Sequence, residues 1–309
     1  MKVAKHVKTP NFFIIGAPKC GTTALSEYLR EHPDVHFSYP KEPNFFCNYF
    51  SEKHRGFKDI NLYLNQCYYN SQGKTAVGEG SVYYLYSQEA VPNILEFNPE
   101  AKFIVMLRNP VDMAYSLHAT HIRSRINENV EDFKKAWELQ ETRQQGKNLP
   151  PDCREPKLLQ YKDVCSTGTQ LKRLLERVDK SKAKIILFDD FVADTKKVYE
   201  ETLAFLGVES DGRTDFSPKN ENRYFKNKKL ANLVSKTAKK HPRFMLVKRK
   251  MGIPEGMSIL KLINRLNRVT AKRKPLDTSF KKELYKVFES ELILLEEILD
   301  RDLSAWKSD

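Results

Sequence analysis

The sequence predicts an α/β protein in which a P-loop-like parallel β-sheet is flanked by helices. Short apolar stretches alternate with stretches of helical periodicity, and this alternation is typical of a parallel sheet covered on both faces. The stretch Lys102–Leu107 is almost uniformly apolar, as expected of a strand that is buried on both sides. A loop with two glycines, Gly16–Thr23, separates the first strand from the first helix, which is where anion-binding loops occur.

Five stretches are predicted as strands because they are short, rich in β-branched or aromatic residues, and bounded by residues that end a strand. In chain order they are residues 11–16, 35–37, 74–78, 102–107 and 184–188.

Helices are predicted between and after these strands. The first begins near Gly21 and ends at Glu31, because the residue before Pro33 disfavours the helical conformation. Others are expected over 110–125, 130–145, 169–178, 198–206 and 279–299. The last of these has a core-facing apolar stripe at helical spacing, formed by Leu284, Val287, Phe288, Leu292, Leu295, Ile298 and Leu299. No repeat or low-complexity linker divides the chain, so we expect a single domain over 1–309.

The composition is that of a globular protein, with 309 residues, 40% hydrophobic and 30% charged. No apolar run approaches the roughly 18–20 residues that span a bilayer, and Phe12–Gly16 is too short for the core of a signal peptide. The cysteines follow neither a disulfide pattern nor a zinc-ribbon spacing; they are Cys20, Cys47, Cys67, Cys153 and Cys165. We therefore expect a cytoplasmic protein.

The positive charge is concentrated in one segment. Residues 219–274 contain 18 Lys/Arg and 2 Asp/Glu, whereas the chain as a whole has a net charge of +13. This basic segment, predicted to be helical, is either a solvated face or a surface for an anionic partner. Apolar positions at Ile259, Ile263, Leu266 and Val269, beside Lys261, Arg265, Arg268 and Lys272, suit peripheral contact with an anionic surface.

The loop after the first strand indicates an anion site. Its two glycines, Gly16 and Gly21, have the spacing of a phosphate loop, and two hydroxyl residues follow them. However, a Walker A motif requires lysine where this chain has Thr22, and the lysine stands inside the loop as Lys19. We interpret the loop as an anion cradle of a different kind.

The end of the fourth strand favours chemistry without a metal. Nucleoside-triphosphate enzymes usually place a magnesium-binding aspartate there, whereas this chain has Arg108. An arginine pairs with phosphate through two parallel hydrogen bonds, and Ser116 in the next helix adds a hydroxyl donor. Asp112 is better explained as a first-turn acid that complements the helix dipole than as a displaced metal ligand.

At this point the residues resemble a family. The loop APKCGTTAL at 17–25 resembles the 5′-phosphosulfate loop of sulfotransferases that use 3′-phosphoadenosine 5′-phosphosulfate (PAPS), and LRNPVDMAYS at 107–116 resembles their 3′-phosphate motif. KEPNFF at 41–46 is similar to the segment with the catalytic glutamate in the heparan-sulfate branch and its bacterial relatives. IILFDD at 185–190 and the tail ending at Trp306 also resemble family elements. The resemblance covers nearly the whole chain and implies a sulfotransferase fold.

The resemblance implies a role for each matched residue. Lys19 would neutralise the bridging oxygen as the S–O bond breaks, and Glu42 would accept the proton of the acceptor hydroxyl or amine. Arg108 and Ser116 would hold the 3′-phosphate, and Phe188 would pack on adenine. The hydroxyls of Thr22 and Thr23 and the backbone amides of Cys20, Gly21, Thr22 and Thr23 would hold the 5′-phosphate, and Lys19 would contact the co-substrate at the bridging oxygen. The co-substrate would be PAPS and the product adenosine 3′,5′-bisphosphate, without a metal.

Two features depart from the family pattern. Many relatives have lysine in a GEKSP-like motif, whereas GEGSV here has Gly80 at that position, so a second substrate-side cation is missing from the motif. The late loop that covers the nucleotide has its best counterpart at 222–229, which includes Arg223.

His118 and His121 are the alternative bases, since cytosolic relatives use histidine. Three tyrosines are either acceptor-pocket or core residues: Tyr83, Tyr84 and Tyr86.

Two other functions remain open from the residues alone. One is a magnesium-dependent P-loop kinase, which the missing Walker lysine and Arg108 disfavour. The other is a non-enzymatic protein that binds nucleic acid or a membrane surface through residues 219–274, although no nucleic-acid motif occurs there. Fold does not determine the acceptor; we expect a carbohydrate or glycolipid, with an acidic glycan suited to the basic segment, and no specific nucleic acid.

Overall fold

The computed structural model describes residues 7–48, 50–52, 54–57, 59–124, 127–217, 223–225, 268–270 and 274–307. The chain divides into two compact units, one formed by residues 1–217 and 276–309 and the other by residues 218–275. The division into one domain or more stays a prediction, because most of the basic segment lies outside the described residues.

The first unit contains a five-stranded parallel sheet with the spatial order β2-β3-β1-β4-β5. The strands are β1 (Phe12–Gly16), β2 (Val35–Phe37), β3 (Ala76–Gly80), β4 (Lys102–Leu107) and β5 (Ala183–Leu187). The predicted α/β fold with a parallel sheet is confirmed. Four strands lie within one residue of their predicted bounds, whereas β3 begins two residues later than predicted.

The first unit has eleven α-helices among its described residues. They are α1 (Thr22–Glu31), α2 (Ile60–Cys67), α3 (Ala90–Phe97), α4 (Pro110–Ser124), α5 (Phe133–Glu138), α6 (Gln140–Gln144), α7 (Tyr161–Cys165), α8 (Thr167–Leu175), α9 (Phe188–Ala193), α10 (Thr195–Leu206) and α11 (Thr278–Leu299). Short 3₁₀ turns occur at Pro156–Leu159, Lys180–Lys182 and Ser304–Trp306.

One helix prediction and one strand boundary need correction. The stretch predicted as one helix over 130–145 is two short helices, α5 and α6, interrupted at Leu139. Asp132 accepts a hydrogen bond from the backbone N–H of Lys135 at 2.8 Å, and this cap starts α5 three residues later than predicted. Phe188, predicted as the last residue of a strand, instead begins α9.

The central strand places the ends of the sheet where a ligand can reach them. Every residue of β1 is buried, and β1 lies between β3 and β4. After β1 the chain goes first to β2 and β3 on one side, and then to β4 and β5 on the other. In parallel sheets the crevice at such a reversal, beyond the carboxyl ends of the strands, is the usual ligand site.

The C-terminal helix α11 packs against α4 and α8. Leu284, Phe288 and Leu292 of its predicted apolar stripe are buried, together with Leu295, whereas Val287, Ile298 and Leu299 are only partly buried. Beyond the helix, the indole Nε1–H of Trp306 donates to Asp189 at 2.5 Å, and the amide of Asn109 donates to the Trp306 carbonyl at 2.7 Å. The tail is thereby tied to the ends of β4 and β5.

The described residues of the second unit include two strands, β6 (Arg223–Phe225) and β7 (Arg268–Thr270), which pair in antiparallel fashion. At Arg268 and Val269 the structure has a strand where the sequence predicted a helical face. The other positions of that face lie outside the described residues. Within the described part of the chain, no helix combines the length and apolarity that a membrane span requires.

Candidate active site

The loop between β1 and α1 turns through two residues with left-handed backbone conformations. Lys19 has φ +67° and Gly21 has φ +86°. A side chain at Gly21 would also meet the ring of Phe188, because a Cβ there would lie 3.1 Å from its Cδ2. Among the described residues no side chain caps α1, so its first N–H groups face the loop with the positive end of the helix dipole.

Lys19 lies in a cationic environment. Burial lowers the pKa of Lys19, and the positive charges of Arg123 and Arg108 lower it further, while the carboxylate of Glu42 raises it. The ammonium therefore has two positive neighbours and one negative neighbour. Such a cluster favours an anion between the cations.

Arg108 follows the last residue of β4 and is stacked on an aromatic ring. Its guanidinium carbon lies 4.8 Å from the centre of the Phe188 ring, and its Nη2 donates to the carboxylate of Asp112 at 3.2 Å. The stack holds the guanidinium plane while leaving the side chain 26% exposed. Since Phe188 also contacts the position above Gly21, the ends of β1, β4 and β5 meet around this ring.

The structure brings together most of the residues predicted for the donor side. Lys19, Arg108 and Phe188 gather at one edge of the sheet, with Thr22 and Thr23 at the start of α1. Ser116 lies partly buried in α4. Arg223 lies in β6 of the second unit, and its side chain is outside the described part of the chain.

Cys20 has the environment of a packing residue. Its side chain is fully buried, and its Sγ lies 3.9 Å from the sulfur of Met113. Burial raises the pKa of the Cys20 thiol to about 12, so the thiol stays protonated and is a poor nucleophile.

Glu42 lies in the long connection between β2 and α2, residues 38–59. Its backbone has φ +62°, and its N–H donates to the carbonyl of Gly80 at 3.0 Å. The ammonium of Lys41 donates to Oε1 of Glu42 at 2.9 Å. The Glu42 side chain is 40% exposed and that of Lys41 only 15% exposed. The carboxylate is thus accessible, and a partly buried cation lies beside it.

The glycine that departs from the family pattern is covered by Lys41. A Cβ built at Gly80 would lie 3.6 Å from Cε of Lys41 and 3.1 Å from the ring of Phe37. The stem of Lys41 therefore passes over the backbone of Gly80. A cation is present near Glu42 after all, although it comes from position 41 rather than from the end of β3.

Beneath this loop lies a fully buried carboxylate, Glu79 of β3. It accepts hydrogen bonds from three hydroxyl groups, those of Tyr63 and Tyr84 on Oε1 at 2.9 and 2.8 Å and that of Ser81 on Oε2 at 2.9 Å. Burial raises the pKa of Glu79 to about 7, and the three hydroxyl groups and Lys41 oppose that shift. Tyr84 is thereby a buried network residue rather than a lining residue.

The two histidines considered as alternative bases are both buried. His118 is fully buried, and its Nε2 lies 2.8 Å from the carbonyl oxygen of Val130. Nε2 of His121 lies 3.4 Å from the hydroxyl of Tyr83, and burial lowers the pKa of His121 to about 4. An acceptor reaches the exposed Glu42 more easily than either ring.

For three residues at this site, no pattern in the sequence by itself predicts that they lie there. Arg123, near the end of α4, is the strongest charged neighbour of Lys19. It lies seven residues after Ser116, which places both on one face of the helix. His54 packs against Tyr83, with ring centres 5.9 Å apart. Glu79 is part of the GEGSV motif, but only the fold shows that its carboxylate is buried.

Within the described residues, no group of three or more His, Cys, Asp or Glu side chains gathers in a way that suits a metal ion. The site is built instead from cations, an aromatic ring, helix N–H groups and one accessible carboxylate. Residues of these types bind an anionic donor and remove a proton from an acceptor.

Comparison with known proteins gives consistent matches. Residues 9–258 match the family described as "Sulfotransferase domain". Carbohydrate sulfotransferase 15 of Mus musculus is 32% identical over 164 residues, covering 40% of this chain and 29% of that protein. Bifunctional heparan sulfate N-deacetylase/N-sulfotransferase 4 of Mus musculus is 29% identical over 212 residues, covering 67% of this chain and 23% of that protein. The chain therefore spans less than a third of the length of these relatives.

A solved structure matches over almost the full length. The crystal structure of a sulfotransferase from Alicyclobacillus acidocaldarius superposes with a TM-score of 0.72 at 27% sequence identity, covering 98% of this chain and 100% of that chain. The arrangement of sheet and helices is therefore shared with a bacterial protein of similar extent.

Proposed function

The chain belongs to the sulfotransferase domain family and is a transferase enzyme, and from this premise we propose that it transfers a sulfuryl group from PAPS to a hydroxyl or amine of a carbohydrate-type acceptor. In this reaction the bond between sulfur and the bridging oxygen of the phosphosulfate breaks. A bond from the acceptor oxygen or nitrogen to sulfur forms, the acceptor proton passes to Glu42, and adenosine 3′,5′-bisphosphate leaves.

The observation that carries the proposal is the meeting of three strand ends around Phe188. The ring contacts the position above Gly21 and supports the guanidinium of Arg108. A nucleotide with phosphates at both ends of its ribose needs two separate anion sites beside a flat apolar surface. The β1 loop, Arg108 with Ser116, and the ring of Phe188 supply these three features.

Lys19 is proposed to stabilise the leaving group. Negative charge develops on the bridging oxygen as the S–O bond breaks, so a cation placed there acts mainly in the transition state. Burial lowers the pKa of Lys19 and the neighbouring cations Arg123 and Arg108 lower it further, and a bound anion relieves that repulsion. The N–H groups of Cys20–Thr23 and the hydroxyls of Thr22 and Thr23 are assigned to the 5′-phosphate.

Glu42 is proposed as the general base. Its carboxylate is accessible, and it lies close enough to Lys19 to influence the pKa of that lysine. In-line transfer requires the proton acceptor and the leaving-group cation to face the reacting sulfur together, and we assign these roles to Glu42 and Lys19. Lys41 is the substrate-side cation that the GEGSV motif lacks, because its stem crosses Gly80 and its ammonium pairs with Glu42.

The acceptor class is proposed from the names of the relatives to which the chain is similar. The two mouse proteins are named for carbohydrate and heparan sulfate, and we propose a glycan or glycolipid hydroxyl or amine as the acceptor of this chain. The basic segment at 219–274 is proposed to favour an acidic glycan or an anionic surface.

A transfer assay with ³⁵S-labelled PAPS tests the proposal. The purified chain is incubated with a panel of desulfated and partly sulfated glycans, glycolipids and small alcohols, and label in the acceptor is counted. We expect transfer to at least one glycan or glycolipid, and equal rates with added magnesium and with a chelator. Parallel incubation with ³²P-labelled ATP and magnesium tests for a kinase. Phosphate transfer without sulfuryl transfer would refute the proposal.

A further inference from the structure

Glu79 is a buried carboxylate for which the proposed chemistry has no use. It lies at the end of β3, with no exposed side-chain surface, under the loop that carries Glu42. Burying a charged group is costly unless it is well hydrogen-bonded, so its presence calls for a physical reason. A carboxamide or an apolar side chain would fill the same space at lower cost.

The hydroxyl groups around Glu79 connect it to the backbone of that loop. Ser81 donates its hydroxyl hydrogen to Oε2 of Glu79 at 2.9 Å, and its oxygen accepts the backbone N–H of Asn44 at 3.1 Å. Tyr84 donates to Oε1 of Glu79 at 2.8 Å, and its oxygen accepts the backbone N–H of Phe46 at 3.2 Å. Two hydroxyl bridges therefore run from one carboxylate to two alternate N–H groups of the loop.

The direction of these hydrogen bonds depends on the carboxylate. A serine or tyrosine hydroxyl has a single hydrogen to donate. While Glu79 accepts that hydrogen, the hydroxyl oxygen presents its lone pairs to the loop N–H. A charged acceptor strengthens such bonds, and the two bonds on each hydroxyl polarise one another. An ionised Glu79 thus orients both bridges toward the loop.

The loop needs such support because its backbone is unfavourable. Glu42 has φ +62° and Asn44 has φ +50°, a left-handed region that is unfavourable for a residue with a side chain. Other hydrogen bonds among the described residues also hold this segment. The Glu42 N–H donates to the Gly80 carbonyl and the Gly56 N–H to the Pro43 carbonyl, and the side chains of Asn44 and Asn93 donate to the carbonyls of Glu42 and Phe46. The two hydroxyl bridges hold the segment immediately after Glu42.

We propose that Glu79 is a positioning residue, which holds Glu42 in its reactive place through the hydroxyl bridges of Ser81 to Asn44 and of Tyr84 to Phe46. The inference rests on the proposed function, since it assigns the bridges to the placement of the proposed general base. Glu79 itself touches neither donor nor acceptor.

A third hydroxyl provides a matched control. Tyr63 donates to the same oxygen of Glu79 as Tyr84 does, at 2.9 Å, but its other hydroxyl contact is Tyr68 rather than the loop. Tyr63→Phe, Tyr84→Phe and Ser81→Ala each remove one hydroxyl from the buried carboxylate. Only the last two break a bridge. The ring of Tyr63, which stacks on Phe45 at 4.4 Å, is kept in Tyr63→Phe.

The first experiment measures turnover and donor affinity for these three variants. We expect kcat to fall by about tenfold to 100-fold in Ser81→Ala and Tyr84→Phe, because a small displacement of a reacting group has effects of this order. Binding of adenosine 3′,5′-bisphosphate should stay unchanged. Tyr63→Phe should keep kcat within about threefold of the wild type. Equal losses of kcat in all three variants would mean that Glu79 has only a structural role, and would overturn the inference.

The second experiment does not depend on catalytic activity. Amide hydrogen exchange of Asn44 and Phe46 is followed by NMR in the same proteins. We expect faster exchange at Asn44 in Ser81→Ala and at Phe46 in Tyr84→Phe, with neither changed in Tyr63→Phe. Unchanged exchange in both bridge variants would overturn the inference directly.

The two experiments separate the failure of the inference from that of the proposed function. If Glu42→Gln retained full transfer activity while exchange still rose in the bridge variants, the assignment of Glu42 as the base would be wrong, and the bridges would still hold the loop. If Glu42→Gln were inactive while the bridge variants kept their kcat and their exchange rates, the base would stand and the positioning role of Glu79 would be refuted.

Discussion

The donor side and the acceptor side of the site are built in different ways. On the donor side, Arg108 and Phe188 come directly after strands of the sheet, and Lys19 lies three residues after the end of β1. On the acceptor side, Glu42 lies on a loop with left-handed residues. The backbone N–H groups of that loop donate hydrogen bonds to Gly80, Ser81 and Tyr84, which lie about 40 residues further along the chain.

Because of this difference, substitutions on the two sides of the site should have different effects. On the donor side, the cations Lys19 and Arg108 are partly exposed, so single substitutions there should alter donor binding or turnover and leave the fold intact. The acceptor side includes a buried carboxylate with three hydroxyl partners, so substitutions there should alter both stability and turnover. Five predictions test this contrast, in order of decreasing expected effect.

The largest effect is expected for Glu42→Gln. The amide keeps the size of the side chain but does not accept the acceptor proton, and general base catalysis typically contributes ~10²–10⁴ in rate. Turnover at saturating PAPS should fall in that range, while calorimetry should show unchanged affinity for adenosine 3′,5′-bisphosphate. Glu201→Gln, at a surface pair with Lys184, is the control. A fully active Glu42→Gln enzyme would move the base to a histidine such as His121.

Lys19→Ala should come next. A group that meets charge only in the transition state affects turnover more than ground-state binding, and removal of one such donor costs ~10²–10³ in kcat. We expect a loss of that order, with at most a small change in bisphosphate affinity. Near-normal turnover at saturating donor would show that Lys19 does not contact the leaving oxygen.

In contrast to Lys19→Ala, Arg108→Ala should mainly weaken binding of the nucleotide. Loss of a charge-assisted pair with phosphate should weaken affinity for adenosine 3′,5′-bisphosphate by about 2–4 kcal/mol. Calorimetry on this variant is compared with Lys184→Ala, which removes a cation from the other end of the sheet and should bind normally. Unchanged affinity in Arg108→Ala would exclude Arg108 from the nucleotide site.

The buried carboxylate gives a pH dependence of stability. The pKa of Glu79 is about 7 in the folded protein against 4.5 for an ordinary glutamate. A raised folded-state pKa contributes stability that is present below pH 4.5 and is lost as the pH rises through 7. Relative to Glu79→Gln, the wild type should therefore lose about 3 kcal/mol between pH 4 and pH 8. Urea unfolding of both proteins across this range measures the difference; a constant difference would contradict the burial of an ionisable group.

The smallest effect is expected for Lys41→Met. Methionine keeps the apolar stem over Gly80 and removes the ammonium beside the 40% exposed Glu42. An exposed ion pair contributes about 1 kcal/mol or less, so turnover should fall by less than about tenfold and donor affinity should not change. The double variant Lys41→Met with Gly80→Lys tests whether a lysine from β3 restores the rate. A loss as large as that of Glu42→Gln would make Lys41 a principal catalytic group.

Several elements were predictable because their signals are local. The strand–loop–helix of residues 12–31, the strand Lys102–Leu107 and the proline that begins α4 carry their own patterns of apolar residues, glycine and proline. Where capping competes with periodicity the prediction was wrong, as in the stretch over 130–145 that divides at Leu139. Helix α2 was missed because its sequence, INLYLNQC, has only three buried positions.

The sequence by itself determined the α/β class, the loop around Lys19, and the presence of Arg108 and Glu42 in motifs that resemble those of sulfotransferases. Local backbone preferences and strand patterns are encoded within a few residues, and so they can be interpreted without the fold. Only the tertiary structure decided that Arg108 stacks on Phe188, that Lys41 crosses Gly80, and that Glu79 is buried among hydroxyl groups. Burial, charge proximity and hydrogen-bond partners depend on segments far apart in the chain, and these come together only when the sheet is assembled.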